Sequence, residues 1–301
     1  MTSARAPGKV VLSGAYAVLD GAPAIVVAVG RDAIAHGDRP ADLVTDEVRA
    51  AIDAGLLTRA CGFDASALRT DGGARKLGLG SSAAILVATM AAVDGLPHTE
   101  AARHALLVRA RRAHRAAQGG GSGVDVAASA LGGVIRCALA GEDLDARDHA
   151  LPADATITVL ASATAASTAS MLGLVRAFAA REPATHARLL GLAREGAEAA
   201  VAARDAATLV EALRAQRTAL AELGRLAGAP ILTAEVEALA RVADQHGAFA
   251  GPAGAGGGDV AVLVAPREVS PAPLLATAAA HGLLPLEAAL GAPGVGALEV
   301  S

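Results

Sequence analysis

Aromatic side chains are almost absent from this 301-residue chain, which has no Trp, one Tyr and three Phe. Alanine makes up more than a quarter of the residues, so a buried core has to be built from Leu, Val and Ala. A platform of aromatic rings for stacking single-stranded nucleic acid is thereby excluded. The net charge of −4 also disfavours a nucleic-acid partner.

The order of apolar patterns predicts an α+β fold. The length suits two domains, which we place at residues 1–150 and 151–301, with the boundary in the acidic stretch 141–154. In the first domain we expect strands at 9–12, 16–19 and 24–29 and helices around 43–57, at 82–93 and at 99–117, then a short helix and strand up to 137. In the second domain we expect strands at 156–161, 260–264 and 283–290 and helices at 168–181, 185–204, 206–227, 233–247 and 273–281.

Two isolated cysteines, Cys61 and Cys137, form no metal-binding or disulfide pattern and suit a reducing compartment. The longest uncharged run, 155–175, approaches the length of a membrane span. It is rich in Ser, Thr and Ala, which favours a buried strand followed by a helix. We therefore expect a cytoplasmic protein without a membrane partner.

The glycine-rich segment GLGSSAA at 78–84 precedes a predicted helix. Glycines allow a close backbone approach to an anion, and a helix N-terminus offers free N–H groups, so the segment is typical of a phosphate cradle. A dinucleotide fingerprint would need an apolar strand upstream, where 70–76 is polar, and a Walker loop would need Gly-Lys-Ser/Thr. A plain helix cap stays open for this segment taken alone.

Two further glycine segments, GSGVD at 121–125 and GAGGGD at 254–259, run directly into apolar elements. Within the first, Asp125 is either a helix cap or a catalytic acid. Of the 26 basic residues only Lys9 and Lys76 are lysine, and both adjoin glycine segments, which suggests that a compact ammonium group is needed there. No Gly-x-Ser-x-Gly elbow is present, which disfavours a serine hydrolase.

Taken together, three motifs resemble those of the GHMP family of small-molecule kinases: APGK at 6–9, GLGSSAA at 78–84 and GAGGGD at 254–259. Within that family the chain is most similar to the phosphomevalonate kinases of the fungal and plant type. The similarity lies in GAYAVLD at 14–20, in Lys76, in AHRAAQGGGSGVDVA at 113–127 and in AST at 166–168. Many family members have a magnesium-binding glutamate where this chain has His114.

The resemblance implies a two-domain GHMP fold, with an N-terminal half like ribosomal protein S5 domain 2 and a ferredoxin-like C-terminal half. It implies ATP- and Mg²⁺-dependent phosphorylation of 5-phosphomevalonate to 5-diphosphomevalonate, in the mevalonate route to isoprenoids, by a monomer or homodimer. Two alternatives stay open: another GHMP kinase with a hydroxyl acceptor such as mevalonate, and a non-catalytic binding protein of the same fold.

The resemblance also assigns roles to residues of this chain. Lys9 and Asp125 would be catalytic, with Asp125 an orienting group first and a base second, and Ser82 would bind the metal. The expected ATP-binding residues are Lys76, Gly78, Leu79, Gly80, Ser81, Ser82 and Ala83. The expected substrate-binding residues are Lys9, Tyr16, His114, Ser122, Gly123, Arg136, Ser167, Gly256, Gly257 and Gly258.

Overall fold

The computed structural model describes residues 3–70, 73, 75–164 and 168–298. Its helices are α1 Asp46–Asp53, α2 Ser81–Asp94, α3 Glu100–Gln118, α4 Val124–Leu131, α5 Thr168–Arg181, α6 Pro183–Ala202, α7 Ala206–Ala227, α8 Ala234–Gln245 and α9 Ala272–Ala280. Its strands are β1 Ser3–Ser13, β2 Ala24–His36, β3 Gly62–Asp64, β4 Val134–Ala140, β5 Asp143–Asp148, β6 Ala155–Ser162, β7 Phe249–Pro252, β8 Val260–Pro266, β9 Leu283–Pro285 and β10 Gly296–Ala297.

The strands form two sheets. One has the order β10-β1-β2-β4-β5, with β3 pairing with β2, and the other has the order β7-β8-β6-β9. Strand pairing is antiparallel between β1 and β10, β2 and β3, β6 and β9, and β7 and β8, and between β6 and β8 from Ala155↔Pro266 to Ala161↔Val260. Helices and antiparallel sheets in this arrangement confirm the predicted α+β class.

The chain divides into two compact units, each assembled from separate segments. The first consists of Met1–Val10, Val26–Ile135 and Ala288–Ser301, and the second of Val11–Ile25 and Arg136–Glu287. The domain boundary at residue 150 stays a prediction. Strand β5 lies inside the acidic stretch where we placed that boundary.

In the first unit, α2 is apolar on all sides and buried from Ala83 to Ala92. A helix that is hydrophobic all round has to lie within a core, and α2 accordingly contacts α1, α3 and α4. The largest fully buried side chains of the first unit include Leu68, Leu79, Leu86 and Met90. The segment that begins α2 is therefore held by the interior of the unit.

In the second unit, the long helices α6 and α7 pack along each other, and α8 and α9 pack beside the four-stranded sheet. Gly196 permits the close approach of α6 to α7, since a Cβ there would lie 2.7 Å from Gln216 Cγ and 3.0 Å from the Ala212 carbonyl oxygen. Leucine, valine and alanine side chains fill most of the core, as predicted, together with Phe178.

Most predicted elements are confirmed, including helices at 168–181 and 206–227. The predicted strand at 16–19 is wrong, because Ala17–Asp20 forms a 3-10 turn. Gly14 and Tyr16 both have positive φ, 85° and 62°. These values lie outside the β region, so the chain turns directly after β1 and no strand forms at 16–19. The last strand, predicted at 283–290, is shorter in the structure and spans Leu283–Pro285.

None of the helices in the described ranges has both the length and the apolar character needed to cross a membrane.

Candidate active site

The first glycine segment forms a tight turn at the start of α2. Gly78 and Gly80 have φ of 72° and 77°, and Gly80 is the N-cap of the helix. Ser81 and Ser82 occupy the first helical positions, where backbone N–H groups have no partner within the helix. The geometry is that of an anion-binding helix N-terminus, with two hydroxyl groups beside it.

Lys9 lies on β1 directly against this turn. Its backbone N–H donates to the Leu79 carbonyl oxygen at 2.8 Å, and its Nζ donates to the Gly78 carbonyl oxygen at 3.1 Å. Gly8 makes the approach possible, since a Cβ there would lie 2.8 Å from the Leu79 carbonyl oxygen. The ammonium group is thus fixed at the turn.

Gly80 brings the two predicted catalytic residues together. A Cβ at Gly80 would lie 3.1 Å from both Cγ and Cε of Lys9 and 3.6 Å from Cβ of Asp125. Asp125 is in the first turn of α4, whose positive end favours a carboxylate. One Asp125 oxygen, Oδ1, accepts the Val126 backbone N–H at 3.0 Å.

His114 on α3 lies close to both Asp125 and Ser82. Its Nε2 lies 3.5 Å from Asp125 Oδ2 and 3.4 Å from Ser82 Oγ. The His114 side chain is 4% exposed, whereas that of Asp125 is 22% exposed. The structure thus assembles Lys9, Gly80, Ser82, His114 and Asp125 into one cluster.

Two residues that adjoin this cluster, Gln118 and Glu47, were not predicted from the sequence. The Gln118 side chain nitrogen, Nε2, lies 3.1 Å from His114 Nε2, and it donates to Glu47 Oε1 at 3.3 Å. Glu47 is buried in the first turn of α1. Gln118 is part of the AHRAAQG segment, but Glu47 is far from it in sequence and no motif pointed to it.

A third missed residue is Arg111, a buried side chain on α3. Its Nε donates to the Ser122 carbonyl oxygen at 2.9 Å. Gly123 has φ of 78°, and a Cβ there would lie 2.7 to 2.9 Å from Arg111 side-chain atoms. Arg111 therefore holds the segment of Ser122 and Gly123 that leads into Asp125.

In the second unit, the third glycine segment lies against two neighbouring backbones. A Cβ at Gly256 would lie 2.0 Å from the Ile231 carbonyl oxygen, and one at Gly258 would lie 2.6 Å from the Thr164 carbonyl oxygen. The Tyr16 hydroxyl donates to the Ala255 carbonyl oxygen at 2.6 Å. Burial raises the pKa of Tyr16 well above its usual range, so the phenol stays a hydrogen-bond donor.

Three further predicted residues lie apart from these contacts. Lys76 is exposed and pairs by a β-bridge with Arg69. Arg136, in the second unit, forms an ion pair with Asp145 at 3.2 Å. Ser167 lies outside the described residues.

Comparison with known proteins agrees with these motifs. Residues 48–133 match the family model described as the GHMP kinases N terminal domain. The chain is 30% identical, over an alignment of 342 residues, to a phosphomevalonate kinase from Streptomyces sp. strain CL190, with 88% of this chain and 90% of that protein covered.

Two solved structures share the fold. One is Streptococcus pneumoniae phosphomevalonate kinase in complex with phosphomevalonate and AMPPNP, with a TM-score of 0.76, 17% identity and coverage of 96% of this chain and 100% of that one. The other is the mevalonate kinase of L. major in complex with R-mevalonate, with a TM-score of 0.70, 19% identity and coverage of 96% and 95%. The predicted kinase fold is confirmed by these similarities.

Proposed function

This chain belongs to the GHMP kinase family, and on that premise we propose that it transfers the γ-phosphoryl group of ATP to the phosphate of 5-phosphomevalonate. The products are ADP and 5-diphosphomevalonate. The chain is a phosphotransferase, and the acceptor is inferred from the phosphomevalonate kinase of Streptomyces, which it matches over nearly its whole length.

The observation that carries the proposal is the position of Lys9 and Asp125 beside Gly80, at the start of α2. The turn and the first N–H groups of α2 bind the nucleotide phosphates. An oxygen of the acceptor phosphate attacks the γ-phosphorus, and the bond from that phosphorus to the bridging oxygen of ADP breaks. Lys9 stabilises the negative charge on the transferring group.

Asp125 acts mainly by orientation. A phosphate monoester is largely ionised near neutral pH, since its second pKa is about 6, so little proton removal is needed. The carboxylate at the N-terminus of α4 holds the acceptor in line with the γ-phosphoryl group. With a hydroxyl acceptor the same carboxylate would instead remove a proton.

Magnesium fits the oxygen groups at this site. Among the described residues no three or more His, Cys, Asp or Glu side chains form a cluster that could hold a metal ion. Magnesium usually binds with few protein ligands together with substrate phosphates, and the Ser82 hydroxyl lies where such phosphates would bind. When bound, the ion neutralises phosphate charge.

Phosphorus NMR tests the proposal directly. The purified protein is mixed with Mg²⁺ and ATP, in one tube with 5-phosphomevalonate and in a second with mevalonate. We expect new diphosphate resonances in the first tube alone. A new phosphomonoester signal in the mevalonate tube alone would show that the acceptor is an alcohol. No transfer in either tube would contradict both acceptors.

Variants of Asp125 and Lys9 test whether these residues catalyse the phosphoryl transfer. We expect Asp125→Asn and Lys9→Met to lower kcat by about 10² to 10⁴ with little change in thermal stability. Asp53→Asn, at the exposed end of α1, is the matched control and should keep the wild-type rate. Near-normal rates in both site variants would contradict the mechanism.

A further inference from the structure

Glu47 is a buried carboxylate that the proposed reaction does not use. It lies in the first turn of α1, at the positive end of the helix. Buried glutamates are rare unless they are paired. Its described hydrogen bond comes from Gln118 Nε2 at 3.3 Å, which connects it to the catalytic cluster.

Glu47 determines which end of the Gln118 amide faces it. An ionised carboxylate only accepts hydrogen bonds, so the NH₂ group, and not the carbonyl oxygen, has to point toward Glu47. The same NH₂ nitrogen lies 3.1 Å from His114 Nε2 and 3.5 Å from Ser82 Oγ. Glu47 on α1 therefore fixes which end of the Gln118 amide faces His114 and Ser82.

The amide in turn determines the tautomer of His114. An NH₂ group has two hydrogens and no acceptor, so the His114 nitrogen facing it, Nε2, has to be the acceptor. The ring hydrogen of the neutral imidazole is then on Nδ1. In this tautomer His114 gives no hydrogen to Asp125 Oδ2, which is 3.5 Å away.

We infer that Glu47 is a positioning residue that, through Gln118, holds His114 as the Nδ1–H tautomer and so leaves Asp125 Oδ2 and the Ser82 oxygen available to substrate and metal. The second half of this inference rests on the proposed function. In this tautomer Nε2 has no hydrogen to give to the Ser82 Oγ, 3.4 Å away, so the hydroxyl oxygen keeps its lone pairs for phosphate-bound magnesium.

The first test reads the tautomer without any substrate. Long-range ¹H–¹⁵N correlation on protein with ¹⁵N-labelled histidine distinguishes Nδ1–H from Nε2–H rings, and the His114 signal is the one missing in His114→Asn. We expect Nδ1–H in the wild type and a shift toward Nε2–H in Glu47→Gln, because a glutamine can present either end to Gln118.

The matched control is Asp46→Asn. Asp46 is the exposed neighbour of Glu47 in the same helical turn, so this variant removes the same charge without touching Gln118. We expect its His114 spectrum to equal that of the wild type. An Nε2–H ring in the wild type, or an unchanged spectrum in Glu47→Gln, would overturn the inference.

The second test is a double-mutant cycle on turnover. We expect Glu47→Gln and Gln118→Met each to lower kcat on the order of tenfold, with KM for ATP unchanged, and the double variant to lose no more than either one. Additive losses would show that Glu47 acts by another route. Gln118→Met removes the NH₂ group that faces His114 Nε2. If Glu47→Gln fails to fold, the tautomer of His114 is measured in Gln118→Met instead.

The two tests separate the inference from the proposed function. A wild-type protein that phosphorylates no acceptor would overturn the proposed function, whereas the tautomer measurement would still decide the role of Glu47.

Discussion

Gly80 sets how closely Lys9 and Asp125 approach the glycine turn at the start of α2. We predict that Gly80→Ala lowers kcat/KM at least tenfold, because the new methyl group would lie 3.1 Å from two Lys9 carbons and displace the ammonium group. The positive φ adds about 1 kcal/mol of destabilisation. Steady-state kinetics and thermal unfolding measure the two effects.

Gly119 supplies the control for this substitution. It also caps a helix in the left-handed region, with φ of 66°, but a Cβ there would meet nothing within 4 Å. Gly119→Ala should thus share the stability loss of about 1 kcal/mol and keep the catalytic rate. Equal activity losses in both variants would show that backbone strain alone is responsible.

Asp32 on β2 makes folding depend on pH. Burial raises the pKa of its carboxyl, and this outweighs the lowering effect of the Arg5 guanidinium, 3.5 Å away. Among the described residues, Asp32 Oδ1 is a buried oxygen that lacks a hydrogen-bond partner. A raised pKa means that the stabilising contribution is present at acid pH and lost as the pH rises through the folded pKa.

We therefore predict that Asp32→Asn is more stable than the wild type at pH 7, by less than about 1 kcal/mol. The difference should vanish below the unfolded pKa of about 4, where both side chains are neutral. Urea unfolding at pH 7 and pH 3.5 measures it. An equal difference at both values would contradict the assignment.

Individual residues were predictable where a motif marked them. Lys9, Ser82 and Asp125 lie in glycine segments with recognisable chemistry, and the structure brings them together. Glu47 was not predictable, because its partner Gln118 is 71 residues away in sequence. Arg111 was not predictable, because no motif marks it. In the sequence both read as ordinary charged residues of helical segments.

Among the elements, the turn that contains Tyr16 shows where pattern-based prediction fails. A continuous apolar run at 16–19 indicated a strand, but the positive φ of Tyr16 is imposed by tertiary contacts. Buried Gln216 accepts the Gly14 N–H at 2.7 Å, and the Tyr16 hydroxyl reaches Ala255. The long helices were predictable, since each buries one continuous apolar face.

Tyr16→Phe tests how this turn supports the third glycine segment. It removes the donor to the Ala255 carbonyl oxygen, so we predict a stability loss of about 1 to 3 kcal/mol. Amide hydrogen exchange should become faster in residues 254–258. Thr277→Val, which removes an exposed helix hydroxyl, is the control and should leave exchange there unchanged.

Across the first unit, the chain closes on itself through its C-terminal segment. Strand β10 pairs with β1 at Ala4↔Ala297, and the Val295 N–H donates to the Ser129 carbonyl oxygen at 3.0 Å. The closure was not predictable, because a two-residue strand has no periodicity to detect. It depends on Gly132, where a Cβ would lie 1.9 Å from the Gly294 nitrogen.

We predict that Gly132→Ala destabilises the protein by about 3 kcal/mol or more, because the segment has to move away from α4. Gly133→Ala is the neighbouring control, with a similar φ of 67° and no atom within 4 Å of the added Cβ. It should lose only about 1 kcal/mol. Urea unfolding compares the two, and equal losses would contradict a role for this contact.

The single tyrosine has a spectroscopic consequence. Without tryptophan, fluorescence excited in the tyrosine absorption band comes from Tyr16 alone, and no energy is transferred to an indole ring. Its phenol is buried and hydrogen-bonded to the loop carbonyl of Ala255. Emission from this chain is therefore a label-free reporter of one contact, and a ligand that shifts the third glycine segment can be followed by stopped-flow mixing without any introduced probe.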